Sequence, residues 1–436
     1  MIIGYSNGFH DSGMAVIDNG NILYAGHAER YSRIKNDKNH SLLMPQYDGK
    51  TVFYEKPFLK NTRRKFAGQR WKSRPKYDKY VSHHWSHAAA SYYTKPFTNE
   101  PVCVIVDAIG EWDTISIWYK KKKVWSRKYP YSLGLFYSAV TKACGLKPME
   151  DEYITMGMAA YGEPVHALDY LLETNLHKGV QLNGRPEDLA ASAQDTLERK
   201  LIEVMQIARK YSSYLCYGGG VALNCVANSK IKNLFDDVWI MPNPGDCGSA
   251  LGAAAAVYNK PLNWIDPYLG YDIKRDINPT SVARFLSQSS VCGVANGKAE
   301  YGPRALGNRS LLADPRKNIK DTVNKIKKRQ LFRPFAPAIL EEFAESYFDG
   351  PMNEYMQYTS QAKHDYKSVT HVDGSARVQV VKKNCRSILR PILEEFYNQT
   401  KCPMLLNTSL NIKGQPMVNT IEHSKEFQNK YKVKVF

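Results

Sequence analysis

Two histidines stand just ahead of an alanine-rich stretch, His83 and His87 in Ser82-His83-His84-Trp85-Ser86-His87-Ala88-Ala89-Ala90. On a helix that spacing puts both imidazoles on one face, where they could share a metal ion, and turns His84 elsewhere. Alone, such a pair more often serves structure. Two carboxylates change the balance: Asp107, at the end of an apolar strand, and Asp246, in Asn243-Pro244-Gly245-Asp246-Cys247-Gly248 just before a helix. Two imidazoles and two carboxylates suit Fe(II), Mn(II) or Zn(II) rather than magnesium. Spacing alone does not bring the four together.

A second kind of chemistry lies further along. Gly302-Pro303-Arg304-Ala305-Leu306-Gly307-Asn308-Arg309-Ser310 is followed by Lys327-Lys328-Arg329-Gln330-Leu331-Phe332-Arg333-Pro334-Phe335-Ala336-Pro337. Arginines among Gly, Pro and Phe are not a solvated helix face. Their planar forks, held by rigid apolar neighbours, suit bidentate phosphate binding, so Arg304 and Arg333 are candidate anion ligands. A third site is suggested where Tyr214-Leu215-Cys216-Tyr217 runs into Gly218-Gly219-Gly220 and then Val221-Ala222-Leu223-Asn224. A strand, a glycine turn and a helix start offer N–H groups to a phosphate or ribose; they also make a tight turn with no ligand.

The elements that would position these residues follow a repeated plan. Ile2 to Tyr5 reads as a strand, followed by a small-residue turn through His10 and Asp11, a strand from Met14 to Ile17, an Asn19-Gly20 hairpin signal and a third strand from Asn21 to Gly26. Residues 102–127 repeat it: strand, polar turn at Asp107-Ala108-Ile109-Gly110-Glu111, strand, and an exposed tip at Lys120 to Lys123. Two such units predict an α/β chain with a duplicated sugar-kinase or actin-like ATPase fold. Proline and glycine punctuation between residues 259 and 290 predicts a boundary, giving one domain over 1–275 and a smaller mixed one over 286–436.

Composition sets the outer limits. With 436 residues, 43% of them hydrophobic, the chain can build two cores, and disordered or fibrous classes are excluded. No apolar run is long enough to span a bilayer, the N-terminus does not read as a secretory signal, and none of the eight cysteines forms a CxxC pair. A reducing, cytoplasmic setting without membrane attachment is expected. The charge is the anomaly: 60 Lys and Arg against 42 Asp and Glu leave +18, which favours anionic partners. Ten basic residues fall between 56 and 79, with Phe58, Phe66, Trp71 and Tyr77 interleaved. Arg63, Arg64, Lys65, Arg70, Trp71, Lys72 and Arg74 are therefore candidates for a nucleic-acid surface, DNA foremost, against the alternative of a solvated loop.

In combination, these motifs resemble the O-carbamoyltransferases of nodulation and antibiotic tailoring. The resemblance covers nearly the whole chain and is carried by the His10-Asp11 turn, His83-His84-x-x-His87-Ala88, Asp107-x-x-Gly110-Glu111, Met156-Gly157-Met158-Ala159-Ala160-Tyr161-Gly162 and Gly219-Gly220-Val221-Ala222-Leu223-Asn224-Cys225. In the second half it rests on Gly302 to Ser310, Phe332 to Pro337, Asp373-Gly374-Ser375-Ala376-Arg377-Val378-Gln379 and Asn407-Thr408-Ser409-Leu410-Asn411. It implies an N-terminal domain like the tRNA threonylcarbamoyl transferases and a C-terminal YrdC-like domain. The latter would join carbamoyl phosphate and ATP (with Mg2+) as carbamoyl-adenylate, releasing pyrophosphate; the former would pass the carbamoyl group to a hydroxyl.

Carried over by position, His83, His87, Asp107 and Asp246 would bind the metal and Lys35 would contact the adenylate. Arg304, Lys327, Arg333, Arg377, Asn407 and Ser409 would hold carbamoyl phosphate and ATP. The His10-Asp11 turn would be catalytic, with His10 removing the acceptor proton near neutral pH. Lys298 stands where arginine is usual, Gln330 where glutamate is, and Leu410 where phenylalanine is. The expected acceptor is a hydroxymethyl pyrimidine in DNA. The alternatives are a small-molecule hydroxyl and a nucleotide-binding module without transferase activity.

Overall fold

The computed structural model describes all residues except 67, 73–74 and 177–178. In it the two N-terminal echoes become two sheets of one plan. β1 (Ile2–Ser6), β2 (Gly13–Asp18) and β3 (Asn21–His27) form a meander, and β4 (Lys50–Phe53) and β5 (Lys79–Tyr80) add in parallel beyond β1, giving the order β3-β2-β1-β4-β5. The turn from β2 to β3 is Asn19-Gly20, both at positive φ, as a two-residue hairpin of this twist requires. β6 (Val102–Gly110), β7 (Asp113–Tyr119), β8 (Lys122–Lys128), β9 (Tyr214–Gly218) and β10 (Asp237–Ile240) repeat the arrangement as β8-β7-β6-β9-β10, with β9 and β10 parallel to β6. The chain is α/β, with the duplicated sheet of the actin-like ATPase plan.

β6 is buried almost throughout, because the helices His83–Tyr92 and Leu133–Ala143 both pack on it. That is why its sequence reads as a continuous apolar run rather than an alternating one. The helix His83–Tyr92 also packs closely on the helix Ser249–Tyr258. The contact depends on small side chains: Ala88, Ala89 and Ala90 meet a helix containing Ala250, Ala253, Ala254 and Ala255. A Cβ on Gly252 would come within 1.7 Å of the Ser86 carbonyl oxygen, so no larger residue fits there. The consequence reaches the site, because Asp246 sits in the short turn that leads into the second helix.

The second compact unit is built on a five-stranded sheet ordered Val291–Ala295, Arg309–Ala313, Met404–Ser409, Ala336–Leu340, Gln379–Val381. Only the last pairing is parallel. Leu311, Leu312, Ile339, Leu405 and Leu406 pack with Val282 and Leu286 of the helix Pro279–Ser289 and Ile392 and Phe396 of the helix Leu389–Thr400. The division of the chain differs from the boundary expected between 275 and 286. The first unit comprises residues 1–25, 38–40 and 45–264; residues 26–37 and 41–44 pack with 265–436. Arginines hold this excursion. Arg30 donates to the Gly302 carbonyl at 2.8 Å, and Arg33 donates to the carbonyls of Met417 and Pro416 at 2.6 and 3.0 Å. All eight cysteines are unpaired, and no helix among the described residues is long and apolar enough to cross a membrane.

Candidate metal centre and the sites around it

The first turn of the helix His83–Tyr92 aims two imidazoles at the end of β6. His83 Nε2 lies 2.9 Å and His87 Nε2 3.1 Å from Asp107 Oδ2, and the two Nε2 atoms are 3.1 Å apart. Asp246 closes the group, its Oδ1 at 3.5 Å from His83 Nε2 and 3.3 Å from His87 Nε2. One donor atom from each of the four residues lies within 4.8 Å of every other. Ligands held about 2.1 Å from one ion sit about 3.0–3.4 Å from each other, so these spacings fit a first coordination sphere. Two imidazole nitrogens facing each other across 3.1 Å between carboxylates fit a shared cation better than a protein-only network.

Neighbouring groups fix the donors. The Pro244 carbonyl accepts from His87 Nδ1 at 3.0 Å, which turns His87 Nε2 toward the cluster. Asp107 Oδ1 accepts the Ala108 N–H at 2.7 Å, which turns Oδ2 toward the histidines. His84, as its spacing predicts, points elsewhere, its Nδ1 at 2.7 Å from Ser116 Oγ. Burial alone would raise the Asp107 pKa, yet His83 and His87 hold it well below the usual carboxylate range. Burial works against a charge on His87, but Asp107 and Asp246 outweigh it and push its pKa up to about 9.

In the N-terminal half the expected site residues have partners of their own. His10 Nδ1 lies 3.0 Å from Asp11 Oδ2. Burial opposes a charge on His10, but the hydrogen bond and charge of Asp11, with Asp246 and Glu150 beyond, raise its pKa to about 9. The imidazole is therefore protonated at neutral pH and is not the ready base its residue type suggests. Asn224, expected at a nucleotide, caps the helix Cys225–Lys232 by accepting the Ala227 N–H, and its amide donates to Gln194 at 2.9 Å. The glycine turn itself forms as expected, with Gly219 at φ 91°, where a Cβ would lie 2.2 Å from the Val106 carbonyl oxygen. The Gly219 N–H, however, donates to Pro244, the same carbonyl that orients His87. The turn of Gly218, Gly219 and Gly220 thus buttresses the metal cluster. Lys35, in the second unit, is ion-paired with Glu29 at 2.8 Å.

In the second unit, Arg304, Arg333 and Arg377 are half-buried. Among the described residues, the buried donor Arg377 Nε and the buried acceptor Asn407 Oδ1 have no hydrogen-bond partner. Asn407 donates to the Ala305 carbonyl and to Gln379, whose own amide donates to Leu306; strand ends are thereby tied to the loop that carries Arg304. Lys327 departs from its expected role. Its buried ammonium is surrounded by the backbone and side-chain oxygens of Ser409 and Asn411, and burial next to Arg329 and Arg333 lowers its pKa well below the usual lysine range. It organises the Ser409–Asn411 turn rather than reaching an outside anion. Arg309 is likewise structural: fully buried, it donates to the carbonyls of Tyr271, Asn296, Gly297, Asn308 and Asn419. Glu300 accepts the N–H groups of Leu306, Asn308 and Arg309 and so shapes the same loop, a role with no signature in residue spacing.

The basic segment divides by burial. Lys65, Arg70, Trp71 and Lys72 are exposed and Arg64 is half-buried. Arg63 is only 7% exposed, on the inner face of the helix Pro57–Phe66, and does not belong to a nucleic-acid surface. Arg74 lies outside the described residues. Lys60, which composition would place on the same surface, bridges both oxygens of Glu55 at 2.8 and 2.9 Å. Glu111 anchors the segment to the metal cluster, accepting the N–H of Lys56 at 2.6 Å and that of His83 at 3.4 Å.

Comparison with known proteins matches residues 283–436 to the carbamoyltransferase C-terminus and residues 48–183 and 165–255 to the carbamoyltransferase N-terminus. An uncharacterised protein of Synechocystis, sll1178, is 30% identical over 97% of this chain and 93% of its own length. The nodulation protein NolO of Bradyrhizobium diazoefficiens is 35% identical over 66% of this chain and 65% of its own. NolNO of Sinorhizobium fredii is 32% identical over 78% and 60%. The chain thus spans less than two thirds of these nodulation proteins.

Proposed function

Because the chain belongs to the carbamoyltransferase family, we propose that it is an O-carbamoyltransferase that uses carbamoyl phosphate and ATP and acts on a hydroxyl, foremost a hydroxymethyl pyrimidine in DNA. The convergence of His83, His87, Asp107 and Asp246 is the observation that carries the transferase reading. These four would hold a divalent transition metal, Fe(II) among the candidates, which would act as a Lewis acid on the carbamoyl-bearing group. Around it His10 and Asp11 would manage the acceptor proton, and the first unit would exclude water from the transfer.

Adenylate formation falls to the second unit in this reading. Arg304, Arg333 and Arg377 would neutralise the phosphates of carbamoyl phosphate and of ATP with Mg2+, while Asn407 and Ser409 would orient them. The acceptor is argued from charge. The exposed Lys65, Arg70, Trp71 and Lys72 combine cations with an aromatic face, and Glu111 ties their segment to the helix that carries His83. A base hydroxyl inside a duplex could not reach buried ligands, so single-stranded DNA or a flipped nucleotide is the expected substrate. Purified enzyme with carbamoyl phosphate and ATP should release pyrophosphate and add a carbamoyl mass increment to hydroxymethyl-pyrimidine DNA. His87→Ala should lose bound metal and transfer while still releasing pyrophosphate. Carbamoylation of a free sugar or nucleoside as readily as of any polymer would replace the DNA acceptor with a small molecule. Full metal content and transfer in His87→Ala would remove the four-ligand site.

A further inference from the structure

The two histidines of the cluster are supported unequally. His87 has its outer nitrogen, Nδ1, on the Pro244 carbonyl, whereas His83 Nδ1 is buried and has no hydrogen-bond partner among the described residues. A carboxylate faces it: Glu55 Oε2 lies 4.0 Å away. Glu55 is buried in the bend between β4 and the helix Pro57–Phe66, and Lys60 of that helix holds both of its oxygens. Hydrogen bonding to His83 at about 2.9 Å would need the carboxylate to move only about 1 Å, within the swing of a glutamate side chain. A metal-bound imidazole commonly donates its other N–H to a carboxylate, carbonyl or water, which fixes the tautomer and strengthens the donor. Pro244 supplies that support for His87.

We infer that Glu55 is the matching support for His83: a positioning residue whose carboxylate accepts the hydrogen bond of the Nδ1–H and so directs Nε2 to the metal, with Lys60 holding the carboxylate in reach. The inference rests on the metal reading above and adds to it a residue that neither spacing nor the four-ligand set points to. A salt bridge kept only for stability would have no reason to face the unpartnered nitrogen of a ligand.

The test measures Co(II) and Zn(II) dissociation constants of the full chain by chelator competition, with thermal unfolding of the metal-free proteins alongside. Glu55→Gln should weaken binding about 10–100-fold, and the loss should vanish when His83 is already Ala. Glu55→Asp retains the charge but shortens the reach; it should give a smaller loss, and it serves if the Gln variant does not fold. Wild-type affinity in folded Glu55→Gln or Glu55→Asp, or an equal loss in the His83→Ala background, overturns the role of Glu55 and leaves the metal site standing. A wild-type chain that binds neither ion overturns the metal reading and this one with it.

Discussion

At His10 neighbouring carboxylates, Asp11 first among them, decide what the imidazole can do. Isolated histidine titrates near 6.5, but Asp11 at 3.0 Å overcomes burial and moves His10 to about 9. Only the neutral imidazole accepts a proton, so if His10 deprotonates the acceptor hydroxyl, the transfer rate rises about tenfold per pH unit below 9 and levels above it. Asp11→Asn removes the hydrogen-bonded carboxylate, leaves burial to dominate, and shifts both the rise and the His10 titration to lower pH. The stability effect has the opposite sense: with the folded pKa above the unfolded one, the pair stabilises the fold fully below about 6.5 and loses that contribution as pH climbs through 9. Rate profiles from pH 6 to 10, with NMR titration of His10, check this. A flat profile that Asp11→Asn leaves unmoved would take the base role away from His10.

At the scale of elements, the turn Ser409–Asn411 is held by a lysine on the helix-end before the Arg333 loop. Lys327 donates to oxygens of both residues inside the core, so Lys327→Met leaves buried acceptors unpaired and should cost about 2–4 kcal/mol of stability, read by denaturant unfolding. Arg304→Ala and Arg333→Ala should instead remain within about 1 kcal/mol of wild type and lose pyrophosphate release. Equal stability for Lys327→Met, or normal release from the arginine variants, would reverse these roles. The same contrast shows what the sequence makes legible. Periodicity and an Asn-Gly turn disclose the duplicated sheets, and the His83/His87 spacing discloses one face of the metal cluster, because both are local patterns. Residues 26–37, which pack with the second unit, and the supporting roles of Pro244, Glu55, Glu300 and Lys327 arise from contacts between segments distant in sequence. Arginine type gave a mixed guide: Arg304 and Arg333 are half-buried, whereas Arg309 in the same motif is a buried hub for carbonyls.

For the whole molecule, the net charge of +18 is a weak guide until it is divided by location. Lys60 is paired with Glu55, Lys123 with Asp113 at 2.6 Å, and Arg63 is buried, so these cations are not offered to a polyanion. Lys65, Arg70 and Lys72 are exposed beside aromatic surface: Trp71 is 56% exposed and meets the exposed ring of Phe58 edge-on, with centroids 6.2 Å apart. Buried cations in this segment serve the fold and only the exposed ones are open to the proposed nucleic acid, which makes that reading testable residue by residue. Each phosphate neutralised on a single strand contributes about 0.7 to the slope of log affinity against log salt, so changing Lys65, Arg70 and Lys72 together to Gln should flatten that slope by about 2. Trp71→Ala should weaken binding by about 1–3 kcal/mol if a base stacks on the indole, with little change in slope. Both sets of variants should release pyrophosphate at the wild-type rate, since the proposed reading assigns adenylate formation to Arg304 and Arg333 instead. Fluorescence anisotropy with labelled single strands across a salt series measures both terms. If the wild-type slope is already near zero, the exposed cations are a solvated surface and the hydroxyl belongs to a small molecule.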